Sequence, residues 1–132
     1  QTGGFKKQYR AVLQGSLPEK AGRLQDLLFY DRQKSKSYIV KRQRKGVKNA
    51  SLNYEVTAVS NGLTSVNIEL ETGRTHQIRA QFANLKAPVL GDGRYGSSEK
   101  TYIHLHCRKI EFTKPGGEKA VFESPVPWKK EF

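Results

Sequence analysis

An α+β domain with a mixed, largely antiparallel β-sheet and one main helix at about residues 75–86 is what this sequence predicts. Three observations predict it. Apolar residues alternate with polar ones in several short runs, separated by Gly, Pro and Asn turn signals. One stretch, Ile78, Phe82 and Leu85, repeats instead at i, i+4 and i+7. The chain has 132 residues, a length that fits one domain and buries a core without disulfides or metal. Residues 1–132 are read as one domain.

The elements follow in order. Gln8 to Gln14 sets Tyr9, Ala11 and Leu13 against Arg10, Val12 and Gln14, a strand pattern. Leu24, Leu27 and Leu28 follow Gly22 at helical spacing and predict a short helix. Tyr38-Ile39-Val40 is a strand signal inside a basic stretch, which reads as a basic hairpin or loop with a turn near Lys45-Gly46. Leu52, Tyr54, Val56 and Ala58 alternate, Ser60-Asn61-Gly62 turns the chain, and Thr64, Val66, Ile68 and Leu70 alternate again, which predicts a β-hairpin. Thr75 is the expected N-cap of the main helix, which stops before Pro88. Gly91 to Gly96 is a loop. Ile103, Leu105 and Cys107 begin another strand, and Ile110 and Phe112 fall on the other parity, which places a bulge or break near Arg108. Pro115-Gly116-Gly117 turns into a last strand, Lys119 to Glu123, and Pro125 and Pro127 mark an irregular end.

Charge narrows the function. Twenty-four Lys and Arg stand against twelve Asp and Glu, a net +12. That excess suits a polyanion, either nucleic acid or an anionic membrane surface. Arg32 to Lys48 holds eight basic residues and no acid. No amphipathic basic helix lies there, which disfavours the membrane. No apolar run approaches the ~20 residues that span a bilayer. The single cysteine, Cys107, excludes an intramolecular disulfide and a zinc ribbon and gives no sign of an oxidising compartment. Gln1-Thr2-Gly3-Gly4 carries no secretory signal. A cytoplasmic location is expected. The chain has no Met at all, so it reads as starting inside a longer product.

The chemistry concentrates in Leu70-Glu71-Thr72-Gly73-Arg74-Thr75-His76-Gln77-Ile78-Arg79. A strand runs into a Gly turn and then into a helix start rich in donors. Such a turn suits phosphate or carboxylate. An Arg on a rigid helix can fix a carboxylate by two parallel hydrogen bonds. Spacing alone also allows Thr75 to be only a cap and Arg79 only a surface residue.

The segment Leu-x-Thr-Gly-Arg-Thr-His-Gln-Ile-Arg, followed by Gly91-Asp92-x-x-Tyr95-Gly96 and by Leu105-His106, resembles the C-terminal half of the catalytic domain of RluA-type pseudouridine synthases. Lys7-x-Tyr9-x-Ala11-x-x-x-Gly15 resembles the stretch that follows that family's nucleophile motif. The blocks come in the family's order and cover nearly the whole chain. The resemblance implies an isomerase that turns uridine in structured RNA, ribosomal or transfer, into pseudouridine without metal or cofactor. Carried over by motif, Tyr9 stacks on the flipped-out base, Arg79 pairs with the catalytic aspartate, and Leu105 lines the base pocket. Arg74, Thr75, His76 and Gln77 would meet RNA, together with Lys41, Arg42, Arg44 and Lys45 of the basic block. The physics agrees with these roles. A nucleophilic aspartate must be ionised, and a nearby Arg holds its pKa down. An extruded base regains stacking energy on an aromatic face.

One family feature is missing. The nucleophile motif, Arg-Leu-Asp-x-x-Thr-Ser-Gly, should precede Tyr9, and no Asp does. Arg23-Leu24-Gln25-Asp26 has an extra residue and follows Tyr9, Asp31 has no motif, and Asp92 suits a turn. The expectation is a C-terminal portion that lacks the nucleophile, is inactive alone, and partners the missing N-terminal part. The alternative is a basic RNA-binding module without chemistry. Three histidines, His76, His104 and His106, lack the carboxylate or cysteine spacing of a metal site. Cys107 reads as a small buried hydrophobe facing away from His106.

Overall fold

The structure is a computed structural model that describes residues 5–128. The Gln1–Gly4 stretch, read above for a secretory signal, lies outside them.

Among the described residues seven strands form one sheet: β1 (Phe5–Gln14), β2 (Ala21–Asp31), β3 (Lys36–Val40), β4 (Val47–Ser60), β5 (Leu63–Leu70), β6 (Leu105–Thr113) and β7 (Lys119–Glu123). Their spatial order is β3-β2-β4-β5-β1-β6-β7. Every pairing among them is antiparallel, so the sheet is not mixed. Among the described residues one α-helix, α1 (Gln77–Asn84), crosses from β5 towards a 3₁₀ turn at Gly93–Tyr95 and then β6.

The chain between β1 and β3 corrects the expectation of a short helix: it is strand β2. Its inner face carries Gly22, which abuts the Tyr54 ring, then Leu24, Asp26 and Leu28. That is strict alternation, but Asp26 accepts a hydrogen bond from Gln81 at 2.9 Å. A polar residue on the core face breaks the apolar pattern and leaves the leucines at an apparently helical spacing.

The β4–β5 hairpin turns at Asn61-Gly62, with φ of 52° and 77°. Two consecutive positive φ values suit a two-residue hairpin whose twist matches the flanking strands. In β6, Cys107 pairs with Tyr9 and Lys109 with Gln8, so Arg108 is the extra residue of a bulge. This explains why Ile110 and Phe112 change parity. The strand begins at Leu105, two residues later than expected, and Ile103 is exposed.

The helix is shorter than expected. Its N-cap is His76, in the left-handed region at φ 54°, and not Thr75; no side-chain cap is formed. It ends as expected before Pro88: Lys86 turns left-handed at φ 62° and the Ala87 N–H donates to the Phe82 carbonyl at 3.1 Å. The expected stripe is in place. Ile78 and Phe82, with Leu85 beside them, pack on Ala11, Leu13, Leu52, Tyr54, Val66, Ile68 and Leu70 of the central strands. Val12 faces the other way and is sealed by Leu90 and Trp128. Among the described residues no helix is long and apolar enough to cross a membrane.

Candidate active site

Three residues named from the sequence come from three separate elements. Tyr9 stands on β1, Arg79 on α1 and Leu105 at the start of β6. Leu105 pairs with Ala11 and Cys107 with Tyr9, so all four side chains share the sheet face that α1 covers. Tyr9, Arg79 and Leu105 line one cavity of about 220 Å³, with Leu70, Ile78, Arg74, His76 and Gln77. That is smaller than a drug-sized site and suits one ring. Tyr9 also borders a neighbouring hollow of about 280 Å³ with Gln8, Asn53 and Arg108, so its ring forms a wall between the two. Burial, then the Cys107 thiol beside it, push the Tyr9 hydroxyl above its ordinary pKa and keep it neutral.

Arg79 is already paired. Its Nε donates to Asp92 Oδ2 at 2.7 Å and its Nη2 to Asp92 Oδ1 at 3.0 Å. The guanidinium carbon lies 4.8 Å from the centre of the Tyr95 ring. The hydrogen bonds that Arg79 donates to Asp92 raise its pKa, so the cation is present at every working pH. Sequence reasoning gave Asp92 a turn role and missed this contact. The Gly91-Asp92-x-x-Tyr95-Gly96 block was the available signal, but nothing in its spacing says that it meets α1.

The turn before α1 is braced from several sides. Arg74 Nε donates to the Asn49 carbonyl at 2.7 Å. Ser37 Oγ donates to the Thr75 carbonyl at 2.5 Å. Tyr95 Oη accepts the Ser37 N–H at 2.8 Å and lies 2.8 Å from His76 Nδ1. The Tyr95 hydroxyl accepts from Ser37 and keeps its one hydrogen for His76, so we assign Nδ1 as the acceptor of a neutral imidazole. Burial, helped by the Arg79 charge, pulls the His76 pKa below its ordinary value. Tyr30 packs edge-on against the same ring at 6.2 Å.

Gln77 corrects an expectation. Its side chain is buried at 2% exposure. Its Nε2 donates to the Ser51 carbonyl and to Gln81 Oε1, both at 3.0 Å. Its Oε1 accepts from Thr72 Oγ1 at 2.7 Å and from the Arg74 N–H at 3.0 Å. No donor or acceptor is left for RNA. Gln77 instead ties the turn to β4.

A groove of about 610 Å³ lies on the far side of Arg74, between the outer end of β2 and the Gly73-Arg74-Thr75 turn. Arg32, Lys48 and Arg74 line it. Asp31 also lines it, but its Oδ1 is engaged by the N–H groups of Gln33 and Lys34 at 3.0 and 3.1 Å. Lys41, Arg42, Arg44 and Lys45 are exposed in the loop between β3 and β4, which ends at the groove, where Gly46 is one of its walls. Arg44 lies over the Phe29 ring at 4.4 Å.

The other sequence candidates lie elsewhere. Asp26 is bound to Gln81. His104 is buried and stacks on Tyr102 at 4.2 Å, and His106 Nε2 lies 3.2 Å from Ser124 Oγ. Among the described residues no three His, Cys, Asp or Glu side chains gather where a metal could be held. Cys107 is half-buried, less enclosed than expected.

A basic groove beside a small, aromatic-walled pocket defines a protein that can hold a polyanion next to a single ring. Known proteins give that class a family. The family model for RNA pseudouridylate synthase matches residues 1–84, more than half of the chain. The chain is 35% identical over 129 residues to the RNA pseudouridine synthase YhcT of Bacillus subtilis, covering 93% of this chain and 41% of that protein. It is 35% identical over 130 residues to the RNA pseudouridine synthase ZMO0505 of Zymomonas mobilis, covering 95% and 58%. Over 81 residues it is 38% identical to ribosomal large subunit pseudouridine synthase D of Xanthomonas campestris, covering 48% of this chain and 24% of that one. The solved structure of human RNA pseudouridylate synthase domain containing 1 matches with a TM-score of 0.80 at 22% identity, covering 93% of this chain and 55% of that one. At that identity the likeness is one of fold. The chain belongs to the RNA pseudouridylate synthase family. It spans about two-fifths to three-fifths of the length of the relatives that match nearly all of it.

Proposed function

We propose that this chain is the C-terminal portion of a pseudouridine synthase catalytic domain and that, together with the N-terminal part that bears the nucleophile, it isomerises uridine in structured RNA, ribosomal or transfer, in the cytoplasm. What carries the reading is the meeting of Tyr9, Arg79 and Leu105, drawn from three elements, around one ring-sized cavity. The nucleophilic aspartate enters from a segment that precedes Tyr9 in the intact protein.

In the reaction the N1–C1′ bond of uridine breaks and a C5–C1′ bond forms. The hydrogen on C5 leaves as a proton and N1 takes one up. Every ring atom of the base stays in the pocket, so the protein must hold a loose ring while it turns. Tyr9 offers a flat face for that ring, and Leu105 with Ile78 gives an apolar wall without polar partners. The Arg79 charge keeps the aspartate ionised, as a nucleophile must be. The RNA backbone lies in the 610 Å³ groove and along the basic loop, with Arg32, Lys48, Arg74, Lys41, Arg42, Arg44 and Lys45 facing phosphates and the exposed Thr75 at the rim. His76 packs the wall between groove and pocket.

The test is tritium release from RNA carrying uridine tritiated at C5. The chain is assayed alone, and then mixed with an N-terminal segment bearing Arg-Leu-Asp-x-x-Thr-Ser-Gly. Release only in the mixture supports the reading. RNA binding with no release in either sample would make the chain a binding module.

A further inference from the structure

A second groove, of about 440 Å³, runs between the edge strand β3, the last turns of α1 and the 3₁₀ turn at Gly93–Tyr95. Neither the basic loop nor the Tyr9 pocket includes it. We propose that this groove is a subsite for one unpaired nucleotide of the RNA strand that carries the target uridine, with Lys36 and Arg94 on its phosphate and its base against the wall of β3 and α1. This rests on the reading of the chain as an RNA-binding enzyme given above.

Charge argues for it first. Lys36 and Arg94 line the groove and no carboxylate does. Among the described residues Lys36 makes no ion pair. Its cross-strand neighbour Asp31 turns its carboxylate to the N–H groups of Gln33 and Lys34 instead. The Lys36 ammonium is held 5.4 Å from the centres of both the Tyr38 and the Tyr95 rings, so it is placed without being neutralised. Arg94 uses only Nη2, on the carbonyls of Lys34 and Ser35. Its Nε and Nη1 remain for an anion. The helix end beside them leaves no open carbonyl at Phe82 or Ala83, because the N–H groups of Leu85, Lys86 and Ala87 bond both.

Shape and chemistry of the walls argue second. The volume is that of a small-ligand site. Ile39, Ala80 and Ala83 give an apolar wall, Tyr38 and Tyr95 add rings, and the exposed Asn84 amide offers a donor and an acceptor. Proteins hold unpaired bases against aromatic and apolar side chains beside cations that take the backbone.

Position argues third. Tyr95 lines this groove, and its hydroxyl meets His76, which lines the Tyr9 pocket. The ring centres are 5.7 Å apart, so one pair of rings separates the two cavities. A strand whose uridine is extruded into the Tyr9 pocket therefore passes this groove with a neighbouring nucleotide.

Gly93 makes the idea testable without disturbing the fold. It lines the groove, its φ is not in the left-handed region, and no atom lies within 4 Å of where its Cβ would stand. The experiment compares Gly93→Glu and Lys36→Gln with wild type in the full-length protein. It measures RNA affinity against salt, tritium release, and release from RNAs made abasic at single positions flanking the target. Gly93→Glu should raise KM about 10-fold with kcat nearly unchanged, the scale of one stacked base. Lys36→Gln should reduce the salt slope of affinity by about 1. Wild type should lose about 10-fold in KM on one of the abasic RNAs, a loss that Gly93→Glu, already without the contact, should not repeat. Wild-type affinity and KM in both variants would overturn the subsite, and so would a fall in kcat alone or additive losses on every abasic RNA. Absence of release from wild type would remove the isomerase reading, and the affinity of the two variants would still decide on the groove.

Discussion

Tyr9 offers a ring and a hydroxyl, and the two have different work to do. The ring walls the pocket, whereas the hydroxyl lies beside Cys107 and stays neutral because burial raises its pKa. If stacking is the ring's task, Tyr9→Phe keeps most turnover and Tyr9→Ala loses most of it. Equal damage from both, measured as tritium release, would show that the hydroxyl takes part. His76 gives a second residue-level test. Its pKa is depressed first by burial, and the Tyr95 hydroxyl favours the neutral ring by donating to Nδ1. A His with a depressed folded pKa binds fewer protons folded than unfolded. Its contribution to stability is therefore intact above the ordinary value of about 6.5 and declines as pH falls below it. Titration by NMR should find His76 below that value, and Tyr95→Phe should move it upward. An unmoved pKa in the variant would contradict the assigned tautomer.

At the level of elements, legibility follows the side chains that face the core. The β4–β5 hairpin, the Ile78-Phe82-Leu85 stripe, the Arg108 bulge and the last strand were readable because apolar residues report their period directly. β2 was not, because Asp26 on its inner face is matched by Gln81 from α1, a partner more than fifty residues away. The helix start failed for a similar reason. Thr75 looks like a cap, but the turn is organised by the buried Gln77 amide, which satisfies three groups from β4 and the turn and a fourth, Gln81 Oε1, on α1 itself. Long-range polar pairing leaves no periodic trace in one sequence. Gln77→Ala should leave the Arg74 N–H and Gln81 Oε1 short of partners and cost about 1–3 kcal/mol, read as a lower Tm. A Tm equal to wild type would mean that water replaces the amide without loss.

Over the whole molecule, charge and topology act together. The net +12 was plain in the composition, and so was the acid-free run from Arg32 to Lys48. Hidden was how the end of β2, the start of β4 and the Gly73 turn bring Arg32, Lys48 and Arg74 to one groove beside the pocket. The motifs named Tyr9, Arg79 and Leu105, but their common cavity exists only because β1 lies between β5 and β6 with α1 over that face. The logarithm of RNA affinity should fall linearly with the logarithm of salt concentration. Replacing Lys41, Arg42, Arg44 and Lys45 by Gln should reduce that slope by about 3 if each meets a phosphate. An unchanged slope would move the backbone path away from the β3–β4 loop.

Arg79→Ala in the full-length protein puts the central claim to the most direct trial, with tritium release and RNA affinity measured on the same sample. Release falling to background while affinity stays within about two-fold is what the proposed pairing of Arg79 with the reacting carboxylate predicts. Release at the wild-type rate would contradict the account.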